Sequence, residues 1–201
     1  LLVDILAKAR DALGSEHRIT LAILHNLGVM WSSLGKLEES EALYREALKA
    51  KRTVFGDKHL STLNTIHNLA TLLHRMKKHD EAFVYYTEEL TDRLEMQGAE
   101  ERDTLKVMGA IGRVDLDRGN NEAGLLRLTE CLDVAVAKCV STPDDLIYDL
   151  ATDLIGYDKR FGPPAAMPPA PTPTAIDAAD AAKLSRPKGP GRPRGGASAP
   201  T

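Results

Sequence analysis

The chain holds six histidines and two cysteines, the side chains that most readily bind a metal or attack a substrate. Their spacing argues against both uses. His17, His25, His59 and His67 recur as two pairs 42 residues apart, so they belong to a repeating architecture rather than to one site. His67 and His74 are seven apart on one helix face, two turns from each other and too distant to share an ion. Cys131 and Cys139 have no CxxC spacing and no histidine at ligand distance in sequence, and read as small apolar groups filling a core. Glu38-Glu39, Glu88-Glu89 and Asp144-Asp145 are paired carboxylates, but adjacent residues on a helix do not face each other. The first two pairs are expected on the solvent side of a helix and the third at a helix start. No G-x-S-x-G, H-E-x-x-H or phosphate-binding glycine loop occurs. Neither catalysis nor a metal or cofactor is expected of this stretch.

The elements that carry these residues repeat. Gly14 to Leu48 returns as Gly56 to Leu90, with Thr20 and Thr62, Leu21 and Leu63, Asn26 and Asn68, and Leu27 and Leu69 each 42 residues apart. A weaker third copy contains Gly98, Thr104, Leu105, Gly112 and Leu132, and Leu6 and Gly14 mark the second half of an earlier one. Self-similarity at a fixed period of this size predicts a solenoid, in which no unit can bury its own apolar face.

Apolar residues at helical spacing divide each copy into an A and a B helix. Residues 1–13 read as the second helix of a truncated repeat, ended by Gly14. Repeat 1 covers 14–55, repeat 2 covers 56–97, and repeat 3, the least regular, covers 98–140. Gly109, Gly112 and Gly124 each lower helix propensity there by about 1 kcal/mol relative to Ala. Gly112 falls in register with Gly28 and Ala70, where close helix contact requires a small residue. Ser141-Thr142-Pro143 looks like a helix start, opening a helix over 141–160 that caps the array or is a decayed fourth repeat. Residues 161–201 combine a Pro/Ala-rich linker with a Gly/Pro/basic tail and are expected to be disordered.

Aromatic residues make up only 4 % of the chain, which suits helix pairs filled with Leu, Ala and Ile better than a β-sandwich. No apolar run reaches the length of a membrane span, and no membrane partner is expected. From Lys183 onward there are five basic residues and no acid, whereas the residues before carry 29 acidic against 21 basic side chains. The chain begins mid-repeat at Leu1, and Leu1, Leu2, Val3, Ile5 and Leu6 are expected to lack the packing partner that a preceding repeat would supply. That reads as a fragment of a longer protein. The cysteine usage suggests a reducing compartment, hence the cytoplasm.

Leu13-Gly14…His17…Thr20, Phe55-Gly56…His59…Thr62, Asn26-Leu27-Gly28, Asn68-Leu69-Ala70, Gly35-Lys36-Leu37-Glu38-Glu39 and Ala42-Leu43-Tyr44…Ala47-Leu48 together resemble the tetratricopeptide repeat. A plain unit has about 34 residues; the 42-residue form is similar to that of kinesin light chains and nephrocystin-like proteins. The third copy departs, with Glu101 for the histidine and Ala110 for the asparagine. The resemblance implies an all-α, right-handed superhelical α-solenoid whose A helices line a groove. It implies further that Asn26 and Asn68 grip the backbone of an extended peptide, since an amide both donates and accepts. The same register assigns His25, Val29 and Ser33, then Asn64, His67, Thr71 and Arg75, then Lys106 and Arg113 to that groove. Arg75, Lys106 and Arg113 would favour an acidic peptide. The alternative is that the two asparagines merely tie adjacent helices together.

The resemblance thus implies a non-catalytic scaffold for protein or peptide partners, such as a kinesin heavy chain or cargo adaptor met through the full-length protein. A second role for such repeats is the sensor array of a nucleotide-switching signalling protein. Pro190-Gly191-Arg192-Pro193-Arg194-Gly195 resembles an AT-hook, which would place Arg192 and Arg194 in a minor groove and the protein in the nucleus. Pro190 replaces the first core arginine, so a solvated basic tail is the favoured reading and nucleic acid is not the expected partner.

Overall fold

The computed structural model describes residues 2–138 and 145–161. Among these residues every element is a helix: α1 (Leu2–Leu13), α2 (Arg18–Ser33), α3 (Leu37–Phe55), α4 (Leu60–Arg75), α5 (His79–Gln97), α6 (Arg102–Asp117), α7 (Asn121–Lys138) and α8 (Asp145–Phe161). α2/α3, α4/α5 and α6/α7 form successive antiparallel pairs, and each B helix packs on the A helix that follows. The result is an all-α solenoid. α8 packs on α7 and α6 as α4 packs on α3 and α2, so it occupies the place of a fourth A helix while closing the last pair. Cys139, the 141–144 helix start and the tail with Arg192 and Arg194 lie outside the described residues.

The repeated motif residues are caps and struts. His17 and His59 precede A helices, and their Nδ1 atoms accept hydrogen bonds from the backbone N–H of Ile19 (3.3 Å) and Ser61 (3.1 Å), satisfying donors that a helix start leaves unpaired. His59 also stacks on Phe55, with ring centroids 4.8 Å apart. The hydroxyls of Thr20 and Thr62 reach back to the preceding segment, donating to the Ala9 carbonyl at 3.4 Å and the Gly56 carbonyl at 2.8 Å, while that of Thr104 finds no partner among the described residues. In the third repeat Glu101 makes no side-chain cap bond, so the sequence departure there removes a real contact.

A helices end in Schellman turns. Lys36 N–H donates to Trp31 O at 2.9 Å and Gly35 N–H to Ser32 O at 3.1 Å. Lys78 N–H bonds Leu73 O at 2.9 Å and Asn120 N–H bonds Asp115 O at 2.8 Å in the same way. The left-handed residue is Gly35 (φ 77°) in the first turn and Gly119 (φ 84°) in the third, but Lys77 (φ 62°) in the second.

The core lies in three clusters along the stack. Leu6, Leu24, Leu27 and Ala47 fill the first pair, Leu63, Ile66, Leu69, Leu73, Tyr86 and Ile111 the middle, and Leu128, Cys131, Leu146 and Leu150 the end. Leu6 therefore has a packing partner, correcting the expectation for the first helix; Val3 and Ile5 are exposed. A and B helices approach most closely where small residues meet. Ser40 Oγ donates to Gly28 O at 2.7 Å, and a Cβ on Gly28 would stand 2.9 Å from the Tyr44 ring.

On the B-helix side, Arg10–Glu46 and Arg52–Glu88 link successive repeats at 2.5 Å each. These partly exposed pairs contribute at most about 1 kcal/mol apiece.

Candidate functional site

Each A helix presents a mixed polar face, and what lies beneath that face differs from one repeat to the next. At the first junction His25 is central. Its Nδ1 is 3.1 Å from Thr65 Oγ1 on α4, and its Nε2 is 3.2 Å from Asn68 Nδ2. Thr65 Oγ1 also accepts from Lys51 Nζ at 2.8 Å, and Lys51 donates to Ser61 O at 3.2 Å. With Asn68 donating to Nε2, the imidazole proton sits on Nδ1 and points at Thr65. Asn68 thus ties α4 to α2. Asn26, its counterpart in repeat 1, is exposed.

At the second junction Ala110 stands where Asn68 stood, and His67 turns to helix B instead. Its Nδ1 is 3.0 Å from Glu89 Oε2. Glu89 Oε1 accepts from Arg93 Nε at 2.8 Å, and Arg93 reaches Asn64 Oδ1 at 3.3 Å and Asp103 at 3.5 Å. Thr71 shares a 2.8 Å hydrogen bond with the Tyr86 hydroxyl. Glu89 is fully buried and Arg93 is 3 % exposed. The expectation that Glu88-Glu89 faces solvent is therefore wrong for Glu89: α5 turns it inward to hold Arg93.

Residues 20–95 match the family model described as Tetratricopeptide repeat. These are tetratricopeptide repeats. Solved structures of similar fold include two of a Podosopora anserina protein assigned as a kinesin light chain, with nearly identical TPR-like repeats. One has a TM-score of 0.69 at 18 % identity, over 79 % of this chain and 74 % of that one. The other has a TM-score of 0.67 at 18 % identity, with the same coverage. BtubC (BKLC) from P. vanneervenii has a TM-score of 0.64 at 16 % identity, over 100 % of this chain and 78 % of that one. At such identities the likeness speaks of the fold. No curated protein matches the sequence.

On the tetratricopeptide A helices, Asn26, Val29 and Ser33 of α2 and Asn64, Thr71 and Arg75 of α4 are exposed at helical spacing, with His25, His67 and Asn68 half-buried between them. The stripe does not continue on α6, where Gly109 and Ala110 are buried. A Cβ on Gly109 would stand 2.7 Å from Leu150 of α8. Of the three cations assigned there, Arg113 pairs with Asp153 of α8 at 2.7 Å and Lys106 with Asp103 at 3.6 Å. Among the described residues Arg75 bonds only neutral groups, the Ser32 hydroxyl at 2.7 Å and carbonyl at 3.3 Å.

Reasoning from sequence missed Lys51, Glu89 and Arg93. A signal existed: Lys51 and Arg93 are cations 42 residues apart, and where repeat 2 places Glu89 four residues before Arg93, repeat 1 has Ala47. Lys51 is 3 % exposed, and among the described residues no carboxylate pairs with it. Burial lowers its pKa to about 8. That of His25 falls to about 4, through its own burial first and the nearby Lys51 second. Both groups bind fewer protons folded than unfolded, so stability rises with pH across each window. For Lys51 that window runs from about 8 to its ordinary 10.5; for His25 it runs from about 4 to 6.5.

Lys51→Met should therefore stabilise the protein at pH 7 by about 1–2 kcal/mol, an advantage that shrinks toward pH 10. Urea denaturation at the two pH values reads the difference, and equal stability at pH 7 would show that the buried ammonium costs nothing.

Proposed function

We propose that the chain is a protein-interaction scaffold that binds an extended peptide along the A-helix stripe of repeats 1 and 2. The observation that carries this reading is the run of solvent-facing hydrogen-bonding side chains on α2 and α4, set on helices whose opposite faces are locked in the core. Asn26, Ser33, Asn64 and Thr71 offer donors and acceptors to a backbone, and Val29, 40 % exposed, offers an apolar contact. Acidic preference rests on Arg75, since Arg113 and Lys106 already have carboxylate partners. Asn68 is committed to His25, so of the two asparagines that recur with the repeat Asn26 is the one exposed to a ligand. By analogy with kinesin light chains, whose repeats the fold resembles, the partner would be a cargo or adaptor segment, met in the cytoplasm.

The test is a displayed peptide library screened against the whole chain, followed by affinity measurement with Asn26→Ala and Arg75→Glu. Each substitution should weaken selected peptides about tenfold without lowering Tm, and Arg75→Glu should do so most for acidic sequences. Peptides that bind both variants as tightly as the parent would place the interaction elsewhere.

A further inference from the structure

Where the A helices of consecutive repeats end, the stack brings together residues 43 apart. At the first junction these are Ser32 and Arg75. At the second they are His74 and Asp117, with His74 Nε2 2.6 Å from Asp117 Oδ2. A third residue joins them across the turn. His79 opens α5, and its ring lies edge-on to that of His74 with centroids 5.4 Å apart. One ring nitrogen of each histidine and one Asp117 oxygen lie within 4.8 Å of one another.

Two features set this trio apart from an ordinary surface hydrogen bond. His79 stands where repeat 1 has Leu37, a partly buried residue packed against the core, so an imidazole has replaced an apolar side chain. Its Nδ1 is buried with no hydrogen-bond partner among the described residues, which is a cost in any interior and a rare condition in folded proteins. No hydrogen bond among the described residues holds that nitrogen in place.

We propose that His74, His79 and Asp117 form a binding site for a divalent transition ion of the zinc type, joining repeats 2 and 3. Two imidazoles and a carboxylate are borderline donors suited to zinc rather than to magnesium or calcium, which take oxygen ligands. Bonds of about 2.0–2.1 Å to a tetrahedral ion put ligand atoms about 3.3 Å apart. The His74–Asp117 pair has to open slightly and His79 to close in, movements that side-chain torsions supply. Three protein ligands leave a fourth position for water. His74 and Asp117 are partly exposed, so an ion can enter from solvent. Lys78, on the same turn, is held away from the trio by its 2.8 Å pair with Glu41. The ion would tie the end of α4 and the start of α5 to the end of α6.

The experiment titrates Zn2+ into the untagged, chelator-treated chain by calorimetry, and measures Tm with and without the ion, using Mg2+ as the control. One Zn2+ per chain should bind, raising Tm by about 5–10 °C at a hundredfold excess over Kd, and Mg2+ should do neither. His79→Leu restores the residue that repeat 1 uses, so it should fold at least as stably in the absence of metal while losing the zinc-dependent shift. Asp117→Asn should weaken binding at least tenfold. No saturable binding by the parent chain overturns the proposal, as does a zinc-dependent shift that survives in His79→Leu.

Discussion

Glu89→Ala should destabilise the protein by about 3–5 kcal/mol, the cost of leaving a buried cation without its counter-charge. Glu89 is completely buried and holds Arg93 Nε at 2.8 Å. What would remain for Arg93 is the Asn64 carbonyl oxygen at 3.3 Å and the more exposed Asp103 at 3.5 Å. His67, 3.0 Å from Glu89, would lose its partner as well. For a chain of this size the loss corresponds to a fall in Tm of about 10 °C. The double variant Glu89→Ala, Arg93→Met removes both charges and should regain most of the stability, because an apolar replacement of an entire buried pair is close to neutral. A double-mutant cycle by thermal and urea denaturation measures the coupling. If the single variant stays within about 1 kcal/mol of the parent, Asp103 and solvent satisfy Arg93 unaided.

That pair also shows where a repeat sequence stops being legible. The 42-residue period and the 3.6-residue stripe both report on apolar positions, so Leu21, Leu63 and Leu105, or Leu27 and Leu69, declare their burial by recurring. The caps are legible for the same reason: His17 and His59 recur because each copy must start an A helix. Polar contacts between repeats obey no such rule. Asn68–His25 and Arg75–Ser32 join residues 43 apart, a distance that only the stacking of one unit on the next makes short. Glu89 is harder still. It takes the place of the small Ala47, and nothing in the local pattern of α5 says that a carboxylate there turns inward. The i, i+4 spacing to Arg93 hints at a pair, but exposed pairs on helices have the same spacing.

The candidate groove was legible by family register more than by physics. The register placed Asn26 and Asn68 on equal terms, and the structure separates them: Asn68 is bonded to His25 of the preceding A helix, whereas Asn26 is exposed. It also placed Lys106 and Arg113 in the groove, where with Arg75 they would favour an acidic peptide, as a stripe running on from repeats 1 and 2. That stripe is interrupted by α8, whose Asp153 takes up Arg113. The reason is energetic: Leu146 and Leu150 must be buried somewhere, and the exposed flank of the last repeat is the apolar surface within reach.

Gly124→Ala should cost about 2–3 kcal/mol, although the same substitution in an open helix is favourable by about 1 kcal/mol. A Cβ on Gly124 would lie 2.8 Å from the backbone carbonyl oxygen of Gly112 and 2.8 Å from Leu116. The carbonyl belongs to the α6 ladder and cannot swing aside as a side chain would, so α6 and α7 must separate. The two earlier repeats put Ser40 and Ala82 at this position, opposite Gly28 and Ala70. The third repeat puts glycine on both helices. Low helix propensity at Gly112 and Gly124, read alone, suggests a decayed repeat; the geometry shows it as the cost of a closer helix approach. Gly156→Ala in α8 is the matched control, since a Cβ there meets nothing within 4 Å, and it should stabilise the protein by about 0.5–1 kcal/mol. Urea denaturation of the two variants should move the midpoint in opposite directions. Equal and favourable shifts would mean that α6 and α7 have room to spare, and that the third repeat is loosely packed after all.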